Sequence, residues 1–535
     1  MKKLPIGIQN FKEIVMGDYI YVDKTQYIYN LINDAKYFFL SRPRRFGKSL
    51  LLDTIDAVFS GEKELFKGLW IYNSDYAFKK HPVIRLDMSN IANKTPDILE
   101  ESLSFYIKMC YNAENFIYEE SIASNTFMKL ITLLHNKYNE RVVVLIDEYD
   151  KPILDHIDDI GVASGNRKAL RGFYGILKSM DPYLAFTFLT GVTKFTKTSI
   201  FSELNNLMDI TMAEDYAGIC GIPTDGLSGH FGEHISQLRT NSKFTHFDNI
   251  TDEILRWYDG YSWDGENRVI NPYSLLSFFK HKKFEYFWYS SGTPGFLVEI
   301  LKNKPESFLT LKNLELSERT LDSFEVEEMQ IEPLLFQSGY LTVKKRLPTK
   351  GASIYLVDAP NLEVREAFNF NILTRFTGQS EANAENAYRK MLAALNDGNL
   401  QGVLALLKGL FASIPYNLHV DAEAYYHSIF YAVMNVLGFN TDVEVAASKG
   451  RIDAVLELGN KVYVMEFKYA KCAPDTNGDE KMKLFNIVLD GAMKQINDRG
   501  YCDRYVGSGK TVYKAAFAFL GRDDIELKAE TVNNS

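Results

Sequence analysis

The sequence predicts an α/β protein in three parts, and three observations predict it. Near-continuously apolar runs alternate with amphipathic stretches up to about residue 235, an aromatic-rich helical middle closes on a helix, a hairpin and a helix, and a second α/β pattern follows around Gly459-Asn460. Strands covered on both faces lose the alternation of polar and apolar residues, so the first part is assigned a mainly parallel sheet. The parts are placed at 1–235, 236–378 and 379–535.

Composition narrows the class. A chain of 535 residues with 46% hydrophobic and 24% charged residues is globular rather than disordered. No segment approaches about 18 uninterrupted apolar residues, and the first residues lack a signal-peptide pattern, so a cytoplasmic protein with no membrane partner is expected. Cys110, Cys220, Cys472 and Cys502 form no CxxC pair, which speaks against a disulfide framework or a zinc knuckle. The net charge of -9 argues against non-specific coating of nucleic acid. It leaves two local basic clusters, Arg42 with Arg44 and Arg45, and Lys344, Lys345, Arg346 with Lys350.

The first strand, Tyr37-Phe-Phe-Leu40, runs into Ser41-Arg-Pro-Arg-Arg-Phe-Gly-Lys-Ser49, which has the character of a phosphate-binding loop. Such a loop needs backbone N–H groups, a cation at the β/γ position of a nucleoside triphosphate and a hydroxyl for Mg²⁺. Gly47, Lys48 and Ser49 supply its end, preceded by Arg45 and Phe46. The full pattern G-x-x-x-x-G-K-[ST] wants glycine at position 42, where Arg42 stands.

A second apolar run spans 81–87, and a third, Val142-Val-Val-Leu-Ile146, ends in Asp147 and Glu148. That is the carboxyl edge at which open α/β sheets bind ligands. Asp147 can hold Mg²⁺ opposite Ser49, and Glu148 can orient or deprotonate an attacking water. The fourth run, 184–190, ends in Thr190, a candidate for sensing a γ-phosphate beside the plainer reading of a strand-end threonine. Arg167 and Arg171 could act as arginine fingers or be surface cations.

In the middle part the aromatics Trp257, Tyr258, Tyr261, Trp263, Phe287, Trp288 and Tyr289 are expected to be core rather than a base-stacking surface. A helix over 325–336, strands at 340–346 and 353–357, and a helix from Asn361 suggest a winged-helix-like module, touching DNA or packing as a lid. The polar stretch Thr377-Gly-Gln-Ser-Glu-Ala-Asn-Ala-Glu385 then separates the C-terminal part.

There, Gly459-Asn460 reads as a two-residue hairpin turn, and if Leu458 and Lys461 are partners, Asp453 falls opposite Glu466 on one face. Two facing carboxylates repel unless a divalent cation sits between them, and hard oxygen ligands suit Mg²⁺ or Mn²⁺. Lys468, two residues on, shares that face and can orient a water or steady a phosphorane-like transition state. Ordinary charges on a solvated face are the alternative. Asp453, Glu466, Phe467 and Lys468 match the order D…E-x-K.

Tyr21-Val-Asp-Lys-Thr25, the 41–49 loop, Leu145-Ile-Asp-Glu-Tyr-Asp150, Thr190-Gly-Val-Thr-Lys-Phe-Thr196 and Phe201-Ser-Glu-Leu-Asn-Asn-Leu207 together resemble the predicted AAA-ATPase-like family. The resemblance makes Arg42 a family trait, and it implies a C-terminal PD-(D/E)xK nuclease-like domain. Together with the residue reading of the middle part, it gives the fold class in full as an expectation: a P-loop NTPase-type parallel sheet domain, a helical, winged-helix-like middle and a small restriction-endonuclease-like α/β domain. Glu423 fits the helix-borne outer acid of that superfamily, with His427 a turn further on. Gln495 would begin its later helix, but Tyr501 is six residues on, off the Q-x-x-x-Y spacing of the exonuclease-like branch.

Two functions follow as expectations. The first is an ATP-binding, ATP-hydrolysing protein coupled to Mg²⁺-dependent nucleic-acid hydrolysis, with DNA as partner and a homo-oligomer left open. The alternative is a nucleotide-dependent switch or scaffold that binds nucleic acid or protein and whose nuclease-like domain does little chemistry. A nucleotide bound without turnover is the blander outcome for the first domain.

Overall fold

The apolar runs of the first part form β1 (Tyr37–Ser41), β2 (Val83–Asp87), β3 (Val142–Asp147) and β4 (Leu184–Gly191), joined by a two-residue strand, β5 (Met208–Asp209). All are parallel, in the order β2-β3-β4-β1-β5. Every residue of β1 and β3 is buried, the condition under which strand sequences read as unbroken apolar runs. Because β4 lies between β1 and β3, the loop after β1 and the acids after β3 flank the end of β4 at one sheet edge.

This computed structural model describes residues 1–195, 200–201, 204–290, 314–322, 330–377, 380–412, 433, 446–447, 450–451, 454–473, 476–505, 509–521 and 524–532. They fall into two compact units, one ending at Val364 and the other taking up the chain from Arg365. The expected boundary at 235 falls inside the helix Leu227–Arg239. That helix packs with Ile250–Tyr258 and Pro272–His281 around Phe231, Ile254 and Phe278, beside a short pair, β6 (Ile222–Pro223) and β7 (Val269–Ile270). Tyr258, Tyr261, Trp263 and Trp288 are buried, and Trp257 stacks on Phe284 at 5.3 Å, so the aromatics build a core.

The hairpin expected after these helices is present with a third strand. β8 (Leu314–Ser317), β9 (Thr342–Leu347) and β10 (Ile354–Asp358) form an antiparallel sheet in the order β8-β10-β9, with helices Ile331–Ser338 before the hairpin and Leu362–Thr377 after it. Ser262 N donates to Thr342 Oγ1 at 2.7 Å, and Val343 N to Ser262 O at 3.2 Å. A Cβ at Gly265, whose φ is +88°, would lie 2.9 Å from Arg346 N, so the approach requires glycine. The basic cluster is partly engaged: Arg346 pairs with Glu214 at 3.0 Å, and Lys344 donates to Pro360 O at 2.7 Å. The hairpin therefore packs on its own unit, with Lys345 and Lys350 facing outward.

In the second unit, helices Glu381–Asn396 and Leu400–Ala412 precede β11 (Ala446–Ala447), β12 (Gly450–Arg451), β13 (Ala454–Leu458), β14 (Lys461–Ala470), β15 (Thr511–Leu520) and β16 (Asp524–Val532). The last four form one sheet in chain order, with β14 and β15 parallel and the helix Gly478–Asp498 crossing between them. Phe485, Leu489, Met493 and Ile496 bury that helix against Val462, Val464, Ala516 and Ala518. Gln495 lies in its last turn, not at its start, and Tyr501 lies beyond its end.

Candidate functional site

The loop after β1 turns on two left-handed residues, Arg45 at φ 69° and Gly47 at φ 93°. Gly47 caps the helix Lys48–Phe59, and a Cβ there would meet nothing within 4 Å, so open space lies before that helix N-terminus. Successive N–H groups in such a turn make an anion-binding concavity. A cavity of about 440 Å³ opens there, lined by Arg44 to Leu51 at one end and by Ile6, Ile20, Val22, Ile222 and Leu276 elsewhere. The Lys48 ammonium folds onto its own loop, donating to Arg42 O at 2.9 Å and Pro43 O at 3.1 Å.

Arg42, in the place of the pattern's first glycine, does not face this cavity. Its N–H extends the β1–β4 ladder, donating to Gly191 O at 3.1 Å, and its side chain turns inward, wholly buried. The guanidinium donates to Ser41 O at 2.9 Å and Thr211 O at 2.7 Å. Burial pushes it down to about 10, still charged at neutral pH. A side chain at this position does not obstruct the phosphate end. Phe46 packs edge-on to Tyr261 and Trp263 at 4.7 and 5.5 Å, and Arg45 lies over the Tyr273 ring at 5.0 Å.

The four residues after β3 divide their work. Asp147 is buried, and burial pushes its carboxyl up while nearby Ser49 and Lys48 pull it back. Ser49 and Asp147 are hard oxygen donors beside one another, the donor set that suits Mg²⁺. Glu148 lines the cavity in a left-handed conformation, φ 48°, with its carboxyl raised by burial and lowered by Lys48. Tyr149 and Asp150 face away: Asp150 accepts from Thr193 N at 2.6 Å, Thr193 Oγ1 at 2.7 Å and Val192 N at 3.0 Å, while Tyr149 donates to Thr193 O at 3.0 Å. They hold the segment that follows β4.

Thr190 ends β4 between the loop and the acids, but its hydroxyl donates to Leu40 O at 2.8 Å and does not line the cavity. As a γ-phosphate sensor it is committed elsewhere. Arg167 and Arg171 also do not line the cavity, and Arg167 bonds Ser164 Oγ at 3.3 Å.

In the second unit the hairpin register is the expected one, from Leu458 opposite Lys461 to Ala454 opposite Met465. Asp453, Glu423 and His427 lie outside the described residues. Glu466 is wholly buried, and Lys468 donates to its Oε1 at 2.9 Å from a partly exposed position. Glu466 and Lys468 pair in register with Ala516 and Ala518 of β15, which are buried in the core under the helix Gly478–Asp498. Phe467 points to the other face, stacked on Phe517 at 5.4 Å, so only its backbone carbonyl is suited to a metal. Glu466 supplies one oxygen ligand of the kind a divalent metal takes, while among the described residues no group of three or more His, Cys, Asp or Glu side chains gathers to hold one.

Comparison with known proteins identifies both domains. Residues 5–201 match the family model described as a predicted AAA-ATPase, and residues 421–528 match that of the PD-(D/E)XK nuclease superfamily. An uncharacterized protein from the vnfD 5′ region of Azotobacter chroococcum mcd 1 is 34% identical over 97% of this chain and 96% of its own. The chain belongs to this AAA-ATPase-like family, with a nuclease-superfamily domain at its C-terminus. Two solved structures are distantly similar. The Aeropyrum pernix ORC2 protein in ADPNP–ADP complexes has 10% identity, covers 66% of this chain and 95% of its own, and gives a TM-score of 0.28. Drosophila ORC bound to GC-rich DNA and Cdc6 has 10% identity, coverage of 77% and 61%, and a TM-score of 0.21. Among the described residues of this AAA-ATPase-like protein, no helix is long and apolar enough to cross a membrane.

Lys24, Tyr273 and Glu363 were not among the sequence candidates. Lys24 lay within the quoted 21–25 motif, a signal that could have singled it out. Glu363 had no such signal. It is wholly buried at the start of Leu362–Thr377 and accepts from Trp288 N at 2.7 Å, while Trp288 Nε1 donates to Arg44 O of the phosphate loop at 3.0 Å.

Proposed function

We propose that the protein binds and hydrolyses ATP in its first unit and cleaves nucleic-acid phosphodiester bonds, in DNA, in its second. The observation that carries the first half is the convergence of Lys48, Ser49 and Glu148 on one cavity of about 440 Å³, with Asp147 behind Ser49. Lys48 is free to exchange the carbonyls of Arg42 and Pro43 for phosphate oxygens. Ser49 and Asp147 would hold Mg²⁺, which supplies charge neutralisation at the phosphates. Glu148, its carboxyl raised by burial, is suited to accept a proton from an attacking water.

In the second unit Glu466, Asp453 and the Phe467 carbonyl would hold Mg²⁺ or Mn²⁺, with Glu423 as an outer acid. The metal supplies Lewis acidity and an acidified water. Lys468, 2.9 Å from Glu466, is positioned to orient that water or to donate to the scissile phosphate. In this reading the middle part acts as a lid through which nucleotide state controls cleavage. Single-stranded, duplex and branched DNA, incubated with Mg²⁺ or Mn²⁺ and with or without ATP, tests the reading. Cleavage abolished by Asp453→Ala or Lys468→Ala is expected, and its absence on every substrate would leave the nucleotide-dependent switch or scaffold.

A further inference from the structure

The cavity beyond the phosphate loop contains a cation that the nucleotide scheme does not use. Lys24 caps the helix Thr25–Asp34 and is only 9% exposed. Its neighbour Asp23 is positioned to pair with it but is occupied. Asp23 Oδ1 accepts from Thr25 N at 2.8 Å and Thr25 Oγ1 at 2.7 Å, and Oδ2 from Trp70 N at 2.7 Å. The Lys24 ammonium donates to Gly218 O at 2.6 Å, and among the described residues it has no other hydrogen-bond acceptor and no carboxylate partner. An ammonium carries three donors. Two therefore remain for the cavity that Lys24 lines together with Lys48 and Glu148.

Burying an ammonium with donors unmade costs several kcal/mol, so the position makes physical sense when a ligand completes it. Resting on the nucleotide reading of this cavity, we infer that Lys24 donates hydrogen bonds to the bound nucleotide, as a specificity-determining cation outside the phosphate loop. The shared chemistry is an acceptor on the ligand, either a phosphate oxygen or an oxygen or ring nitrogen of the nucleoside. Lys24 thus adds a built recognition point to the anion-binding loop of Arg45 to Ser49.

Its environment gives the inference a signature. Burial lowers Lys24 to about 8, against the opposing pull of Cys220, Asp23 and Asp225. Near it are Cys220, whose thiol burial raises, and His230, whose imidazole burial lowers. Tyr27 lies beside it with its phenol raised by burial, and Lys48 and Glu148 stand across the cavity. Below about pH 8 the ammonium is protonated and donates; above it the charge is lost, and nucleotide affinity falls.

The test uses the full chain and its affinities for ATP, ADP and adenosine, with Lys48→Ala as the control for the phosphate loop. Lys24→Met keeps the stem and removes the donors. It is expected to weaken ATP binding by about tenfold or more and to flatten the decline in wild-type affinity between about pH 7 and pH 9. A loss that is larger for ATP and ADP than for adenosine assigns the acceptor to phosphate, and an equal loss for all three assigns it to the nucleoside. Unchanged affinity for all three in a folded Lys24→Met protein overturns the inference while leaving the nucleotide reading intact. A wild type that binds none of them overturns both. If Lys24→Met does not fold, reductive methylation of wild-type Lys24, read by mass spectrometry, decides: suppression by ATP is expected, and equal labelling with and without ATP is the contrary result.

Discussion

The Arg42 guanidinium lies 3.9 Å from the centroid of the Trp263 ring, so the residue that breaks the glycine pattern of the phosphate loop joins Phe46 and Arg44 in tying the loop to the aromatic middle part. Its side chain reaches Thr211 O as well, leaving the turn at Arg45 and Gly47 to face the cavity. Restoring the pattern with Arg42→Gly should therefore not improve nucleotide binding. It removes a buried stacking contact and the donors to Ser41 O and Thr211 O, and a destabilisation of roughly 3 kcal/mol is expected. Denaturant midpoints and ATP affinity check this. Tighter ATP binding without loss of stability would show that position 42 belongs to the phosphate site after all.

Glu148 and Thr190 give a contrast at the same sheet edge. Glu148→Gln keeps the shape of a residue that lines the cavity but removes the base, so phosphate release should fall by about a hundredfold or more with ATP still bound. Thr190→Val removes a hydroxyl bonded to Leu40 O and should cost roughly 1 kcal/mol of stability with little change in hydrolysis. Single-turnover phosphate release on both variants separates the two roles. A hydrolysis defect in Thr190→Val as deep as that of Glu148→Gln would return Thr190 to the sensor role.

The strands, the loop and the acid pair were legible because each announces itself locally. A strand buried on both faces is a run of apolar residues, and the 459–460 turn fixes the register of its hairpin from two residues. What was not legible depends on partners remote in sequence. Nothing near Arg42 in the chain indicates that its side chain turns toward Trp263, and nothing near Thr190 reports that Leu40 O takes its hydroxyl. The lid boundary at 235 was misplaced because the helix Leu227–Arg239 has the composition of either part, and Gln495 was put at the wrong end of its helix because spacing to Tyr501 carries no helix start.

Lys468 and Glu466 predict a metal-dependent phenotype in the second unit. With a 2.9 Å contact between them and only alanines in register beside them, neither residue has a neighbouring side chain from β15 able to replace it. Lys468→Ala and Glu466→Gln should each reduce DNA cleavage by about a hundredfold or more. Raising Mn²⁺ should partly rescue Glu466→Gln, which weakens a ligand, and should not rescue Lys468→Ala. Equal rescue of both, measured on a common DNA substrate, would assign Lys468 to metal binding and not to the reacting water.

Glu363 predicts how stability depends on pH. Its carboxyl is wholly buried among the lid aromatics, and burial pushes it up to about 8, with the Ser274 hydroxyl and the Trp288 N–H pulling the other way. The folded protein therefore keeps a proton on Glu363 that the unfolded chain, ionising near 4.5, releases. Between those values the unfolded state binds fewer protons, so this group lowers stability as pH rises from about 4.5 to about 8, with no further change above. Glu363→Gln retains an acceptor for Trp288 N and removes the titration. It should be more stable than wild type at pH 8 by roughly 2–4 kcal/mol, the advantage shrinking as pH falls toward 5. Because Trp288 in turn holds Arg44 O, the same variant should lose less ATP affinity than the wild type as pH rises from 5 to 7. Thermal melts of both proteins from pH 5 to pH 8 check the first expectation, and a stability difference that does not vary with pH would mean that Glu363 stays in one protonation state throughout.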